Sequence, residues 1–378
     1  MPVAPACYPL TRTQHLIPVA EPDLTGNELE YVSRCVRSGW VSSAGEYVTR
    51  FESEFAAFCR AKHGVATANG TVAIHLALTA LGIQPGDEII VPSLTFVASA
   101  NAVVYANAKP VFVDCEPQTW TMAPQDVERK ITPRTRAILV VHLYGHPVDM
   151  DRIQEIATRH NLWVIEDAAE AHGAEYRGRK IGNLGTAGVF SFYGNKTITT
   201  GEGGALITDD QNLAKRAAFL RDHAMSPERR YYHSEVGFNY RLTNLQAAIG
   251  VAQLERIEAF VEAKREHARQ YASLLGGIPG LELAPEAPWA KSSFWMYSVL
   301  VKEDFPLTRD ELAKHLRSLG VDTRPFFIPM HSLPMYARGE RLPVAERLSQ
   351  QGLNLPSSTT LTTDQIERVA AAIRSALR

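Results

Sequence analysis

Strand-like and helix-like stretches alternate through the first half of the chain, and that alternation restricts the possible folds more than any other feature. β-rich runs fall at 64–68, 88–91, 110–114, 137–142, 162–167, 187–192 and 205–208, most of them separated by helical patterns. The stretch after Asp149 is one such pattern, with Met150, Ile153 and Ile156 on a single face. Strands joined through helices run parallel, and a parallel sheet needs cover on both faces. The expectation is an α/β fold around a mostly parallel seven-stranded sheet.

After Thr243 the rhythm changes. One long helical segment is expected to run to about residue 275, with Leu245, Ile249, Ala252 and Ile257 at helical spacing, before Gly276-Gly277-Ile278-Pro279-Gly280 breaks it. A strand at 296–301, a helix from about Arg309 and a final helix follow. That last helix opens on a capping box, Thr362 with Gln365, and carries Ile366, Val369, Ala370, Ile373 and Leu377 on its apolar face. At 378 residues the chain exceeds the size at which one core keeps growing. A large domain over 1–253 and a smaller C-terminal α+β domain over 254–378 are therefore expected, with 18–58 packed beside the larger one.

Charge and cysteine usage narrow the function. A formal net charge of −2, with no long run of either sign, gives no nucleic-acid footprint, yet leaves room for a phosphorylated ligand held by a few local donors. Cys7, Cys35, Cys59 and Cys115 are scattered and form no C-x-x-C pair, which reads as reduced thiols in a cytoplasmic protein. No apolar stretch has the length of a signal-peptide core or a membrane span.

Four short segments carry chemistry. In Ser191-Phe-Tyr-Gly-Asn-Lys196-Thr-Ile-Thr-Thr-Gly201-Glu-Gly203-Gly204, one lysine sits between an apolar strand and a glycine-rich turn. A Schiff-base lysine needs such a place, because desolvation disfavours the ammonium and leaves a nucleophilic amine; the ordinary fate of a loop lysine is solvation. In Val164-Ile165-Glu166-Asp167, a buried strand ends in acid, where open α/β sheets bind ligands. Asp167 there suits the pyridine nitrogen of pyridoxal 5′-phosphate (PLP), which a carboxylate keeps protonated; a helix N-cap is the plainer role, and Glu166 reads as structural. Asn69-Gly70-Thr71 leads from strand to helix and offers free amides to a phosphate, with Ser191 as a further donor, although many strand-to-helix turns look the same. Phe96 opens a helix past another strand end, where its ring can stack on a cofactor or simply fill the core. His142 and His146 are four apart, but Gly145 and Pro147 rule out a helical metal pair, and structural roles are expected.

Taken in order, these segments resemble those of the DegT/DnrJ/EryC1/StrS sugar aminotransferases, PLP enzymes of fold type I. The likeness runs from Gly39-Trp40-Val41-Ser42 to Arg324-Pro-Phe-Phe-Ile-Pro-Met-His331 and includes Gly237-Phe-Asn239-Tyr-Arg241-Leu-Thr243. The resemblance implies that Lys196 binds the cofactor covalently and shuttles the proton, with PLP and its aminated form, PMP, alternating. It further implies that Asp167 meets the ring nitrogen, that Gly70, Thr71 and Ser191 bind the phosphate, that Phe96 stacks on the ring, and that Asn239 reaches the neighbouring subunit's phosphate in a homodimer with shared active sites. Many members carry Gln where this chain has Glu170, near the cofactor's 3-hydroxyl; a carboxylate changes the charge there. His233 and His331 resemble positions near the sugar site, and Trp40 and Ser42 are further candidates to touch substrate; Tyr232, with Arg229 and Arg230, can meet the diphosphate or simply cover the surface, and Arg324 can bind an anion or form a surface ion pair. Glu170 and the segments around Tyr193, Arg229 and Arg324 are similar to those of members that form GDP-perosamine. The implied substrates are a nucleotide-linked keto sugar, GDP-4-keto-6-deoxy-mannose, and L-glutamate as amino donor. Amination at C3, or of another GDP-, dTDP- or UDP-linked keto sugar, is the alternative within the family, and a non-catalytic PLP-binding regulator the alternative outside it.

Overall fold

The computed structural model describes residues 16–377; Cys7 lies outside them. Seven strands form the main sheet, in the order His63–Thr67, Gly204–Thr208, Ala187–Ser191, Trp163–Asp167, Thr135–Val141, Glu88–Pro92, Lys109–Val113. Six run parallel and Gly204–Thr208 alone runs against both its neighbours. The expected α/β architecture and strand count are therefore present.

Successive side chains of each strand go to opposite faces, and both faces are covered. Ile89, Val91, Leu139, Ile165, Val189 and Leu206 pack with the helices Gly70–Ala80, Val97–Tyr105 and Gln211–Arg221. Their neighbours Ile90, Ile138, Val140, Val164, Phe190 and Ile207 pack with Glu46–Phe58, Met150–His160 and Asn244–Leu254 on the other side. This is why the strands read as continuous apolar runs rather than as alternating ones.

The helical segment after Thr243 is two helices, Asn244–Leu254 and Ile257–Leu275, not the single one its periodicity predicts. The break at Glu255-Arg256 is held by distant residues. Gln253 donates to the Asp23 carbonyl and to Glu28, Arg256 pairs with Asp23, and Glu255 accepts from Asn27 and Tyr31. The second helix then serves two cores: Ile257, Phe260 and Val261 join the main sheet, while Ala268, Tyr271 and Leu275 join the C-terminal one.

The C-terminal part has an antiparallel sheet in the order Leu281–Leu283, Ser298–Val301, Gly352–Asn354, Arg324–Pro325, backed by helices that include Arg309–Ser318 and Thr363–Ser375. The capping box at Thr362 and Gln365 is formed. Leu377, expected on that helix's apolar face, lies past its end and is 40% exposed. Of the stretch expected beside the main sheet, Val48, Phe51 and Phe55 pack there and Val19 joins the other face's core, its carbonyl accepting from Ser357; Ile17, just before that stretch, bridges to Val321.

Candidate active site

The carboxyl ends of the parallel strands open into a cavity of about 580 Å³, the place where open α/β sheets take ligands. Asp167 is the last residue of its strand and Ser191 the last of the next. Lys196 sits in the turn between Ala187–Ser191 and the reversed strand. That turn is drawn tight by Phe192 N–H to Gly203 O, Thr200 N–H to Phe192 O and Lys196 N–H to Tyr193 O. Gly70, Thr71, Phe96, Asp167, Glu170, Ser191, Lys196 and Arg324 all line the cavity.

The anion cradle comes from the start of the Gly70–Ala80 helix. The Asn69 side chain caps it by accepting from Val72 N–H, while the amides of Gly70 and Thr71 precede the first intrahelical donor. A Cβ on residue 70 would come within 2.9 Å of the Ser191 Cβ. Only glycine lets these two walls approach so closely, and the result is a pocket edge built of backbone and hydroxyl groups.

Opposite lies the charged group. Asp167 Oδ2 accepts from Ser99 Oγ at 2.6 Å and Oδ1 from Ala169 N–H at 3.2 Å. Glu170 Oε2 accepts from Tyr144 N–H at 3.0 Å, and its Oε1 lies 3.7 Å from Lys196 Nζ. Burial raises the pKa of Asp167 and of Glu170 and lowers that of Lys196; their mutual attraction opposes all three shifts. The Lys196 amine is thus easier to deprotonate than a surface lysine, while two carboxylates stand within electrostatic reach of it.

Several lining residues escaped the sequence reading. Tyr144 adopts φ 51°, a left-handed conformation that is strained for a tyrosine, and in it turns its amide to Glu170. The Trp295 ring centroid lies 3.9 Å from Lys196 Nζ. Glu202, Phe327 and Asn354 complete the wall. Tyr144, Trp295 and Asn354 lie far along the chain from Lys196 in no local motif, so only packing brings them there.

The other residues expected at the site do not line this chain's own cavity. His331 is buried behind the wall. Its Nδ1 is 2.7 Å from Ser93 Oγ and its Nε2 3.3 Å from Glu346, while Met330 N–H donates to Ser93 O. It clasps the loop carrying Thr95 and Phe96 to the segment carrying Arg324 and Phe327. Asn239 is exposed, its Oδ1 accepting from Arg241. Trp40, Ser42, Tyr232 and His233 are also exposed and do not line the cavity; Tyr232 lies under Arg229, and His233 Nδ1 is 2.8 Å from the His223 carbonyl. His142 and Glu166 form a fully buried pair at 3.0 Å, and Glu166 also accepts from the amides of Gly182, Leu184 and Gly185, the structural role expected of it. His146 hydrogen-bonds backbone groups of Pro147 and Ala287. Among the described residues no group of three or more His, Cys, Asp and Glu is placed to hold a metal ion, and no helix is long and apolar enough to cross a membrane.

Comparison with known proteins places this site in a family. GDP-perosamine synthase of Caulobacter vibrioides is 50% identical over 364 residues, covering 96% of this chain and 98% of the relative. GDP-perosamine synthase of Escherichia coli O157:H7 is 45% identical over 358 residues, covering 94% and 97%. The crystal structure of DesV from S. venezuelae superposes with a TM-score of 0.88 at 41% identity, covering 93% of this chain and 95% of that one. The profile of the DegT/DnrJ/EryC1/StrS aminotransferase family matches residues 22–374, and the chain belongs to that family.

Proposed function

We propose that this chain is a PLP-dependent aminotransferase that moves the amino group of L-glutamate to C4 of GDP-4-keto-6-deoxy-mannose, giving GDP-perosamine. The observation that carries the reading is one cavity in which a buried lysine amine, a buried aspartate and a helix N-terminus meet. These donors fit the cofactor. Gly70, Thr71 and Ser191 would hold its phosphate, Asp167 its ring nitrogen, Phe96 its ring face and Lys196 its carbonyl carbon, with Glu170 beside its 3-hydroxyl. PLP supplies an electron sink for the carbanion left when a C–H bond is broken next to nitrogen.

The chain's own residues do the rest. Asp167, fixed by Ser99 and the Ala169 amide, presents a carboxylate whose position does not depend on the ligand. Lys196, its pKa lowered by burial, takes the proton from the donor's α-carbon as a neutral amine and hands it back, a positioned base worth about 10²–10⁴-fold. Glu170 holds the ammonium form after each transfer.

What supports a homodimer with shared sites is the exposed Asn239 together with the exposed apolar Trp40 and Val236. The buried, unbridged thiols of Cys35, Cys59 and Cys115 favour a reducing, cytoplasmic setting.

The test is glutamate-dependent amination of the GDP keto sugar, with the product's carbon assigned by NMR. Formation of 2-oxoglutarate and a C4 amine is expected, and Lys196→Ala should abolish both, together with the near-visible absorption of the bound cofactor. Product amination at C3, or full turnover in Lys196→Ala, would refute the reading.

A further inference from the structure

We propose that Trp295 is a positioning residue for the Lys196 amine and that Lys264 sets Trp295 in place through its backbone. The inference deepens the reading above, in which Lys196 is the reacting amine. Trp295 grips Lys196 from two sides at once. Its Nε1–H donates to the carbonyl of Asn195, the preceding residue, at 2.8 Å, and its ring centroid stands 3.9 Å from Lys196 Nζ. The amine is parked between a π face and the Glu170 carboxylate, so the arc through which it swings has two fixed walls.

Lys264, on the Ile257–Leu275 helix, has no part in the chemistry described so far. It is 6% exposed and forms no ion pair with a carboxylate among the described residues. A buried ammonium without a counter-ion is costly, and burial brings its pKa down to about 7. Its Nζ instead donates to two carbonyls, Trp295 O at 3.1 Å and Ser357 O at 2.6 Å. The same two segments are joined by Tyr297 N–H to Ser357 Oγ and Leu355 N–H to Tyr297 O. Lys264 bolts this junction, and Trp295 projects from it against the active lysine. His267 and His172 feel its charge: burial above all lowers the pKa of both, and the Lys264 ammonium adds to that lowering.

The test reads Lys196 itself, in the full-length protein stripped of cofactor. A trace of fluorodinitrobenzene is reacted across pH 6 to 11, and the Lys196 peptide is quantified by mass spectrometry, giving its apparent pKa. Glu170, Asp167, His172 and Arg324 also act on this amine and are left intact. An aromatic face favours the ammonium, so Trp295→Leu should lower that pKa by about one unit, and Trp295→Phe should restore most of it. Lys264→Met should lower it in the same direction, and adding Lys264→Met to Trp295→Leu should change nothing more, because both act through one contact. Where Lys264→Met does not fold, Lys264→Gln replaces it; too short to reach both carbonyls, it should give a smaller shift of the same sign. An unchanged pKa in Trp295→Leu, additive shifts, no shift in the Lys264 variant, or a raised pKa there (direct charge repulsion relieved) would each overturn the proposal. Since labelling needs no cofactor, its outcome is separate from whether Lys196 binds PLP, which Lys196→Ala decides.

Discussion

At the scale of single residues, two positions set what the cavity can do. Glu170 stands 3.7 Å from Lys196 Nζ and holds its proton there. Glu170→Gln keeps the shape and the oxygen facing the Tyr144 amide but removes the charge. Since the carboxylate raises the lysine pKa, its loss should lower it. The same labelling titration checks this; a pKa unmoved or raised would show that the carboxylate is already protonated. Gly70 is the other position. Gly70→Ala puts a methyl 2.9 Å from the Ser191 Cβ. Overpacking of this kind costs about 1–3 kcal/mol, and here it falls on the phosphate cradle. PLP affinity, measured by equilibrium dialysis, should drop roughly tenfold. The clash is between two protein groups and is present without the ligand, so the melting temperature of the cofactor-free protein should fall as well, with alanine's better helix propensity offsetting part of the loss. Gly70 was legible from its strand-to-helix turn, whereas Glu170 was marked only by the resemblance to the family. Tyr144 and Trp295 were not legible, since an isolated aromatic in a sequence says only that something large is buried.

At the scale of elements, the Ile257–Leu275 helix carries the junction between the two cores, and Lys264 makes its stability depend on pH. The folded-state amine has a pKa of about 7, while an unfolded lysine titrates near ~10.4. Between these values the unfolded chain binds the extra proton, so stability rises with pH from about 7 to 10. Below 7 both states are protonated and the penalty is complete, at most roughly 5 kcal/mol. Urea unfolding at pH 7 and pH 9.5 should show this rise, and Lys264→Met should flatten it; an equal rise in the variant would place its source elsewhere. The helix itself was legible by its spacing. Its separation from Asn244–Leu254 was not, because Asp23, Glu28, Asn27 and Tyr31, more than 200 residues away, hold the break. The seven strands were legible because burial on both faces leaves unbroken apolar runs.

At the scale of the whole molecule, the exposed face around Asn239 bears on assembly. Val236 is 87% exposed and Trp40 59%, and the Trp40 segment packs on the start of the Asn244–Leu254 helix, whose Asn244 N–H donates to the Ser42 carbonyl. In the proposed homodimer these side chains are covered. Trp40→Ala with Val236→Asp should weaken self-association at least about tenfold, about 1.4 kcal/mol, as read by sedimentation velocity over a concentration series. A monomeric wild-type protein under the same conditions would remove the basis for shared sites.

The sequence alone marked the order of strands and helices and the short segments around Lys196, Asp167 and Gly70 that line the cavity, because periodicity and strand-end motifs are local and survive without the fold. It also marked His331, and only the folded chain shows that its ring is held between Ser93 and Glu346 and ties two loops together. What surrounds Lys196 was decided only in three dimensions. The indole on its flank comes from 100 residues away along the chain, and contacts between such distant groups follow from the closing of two cores against each other.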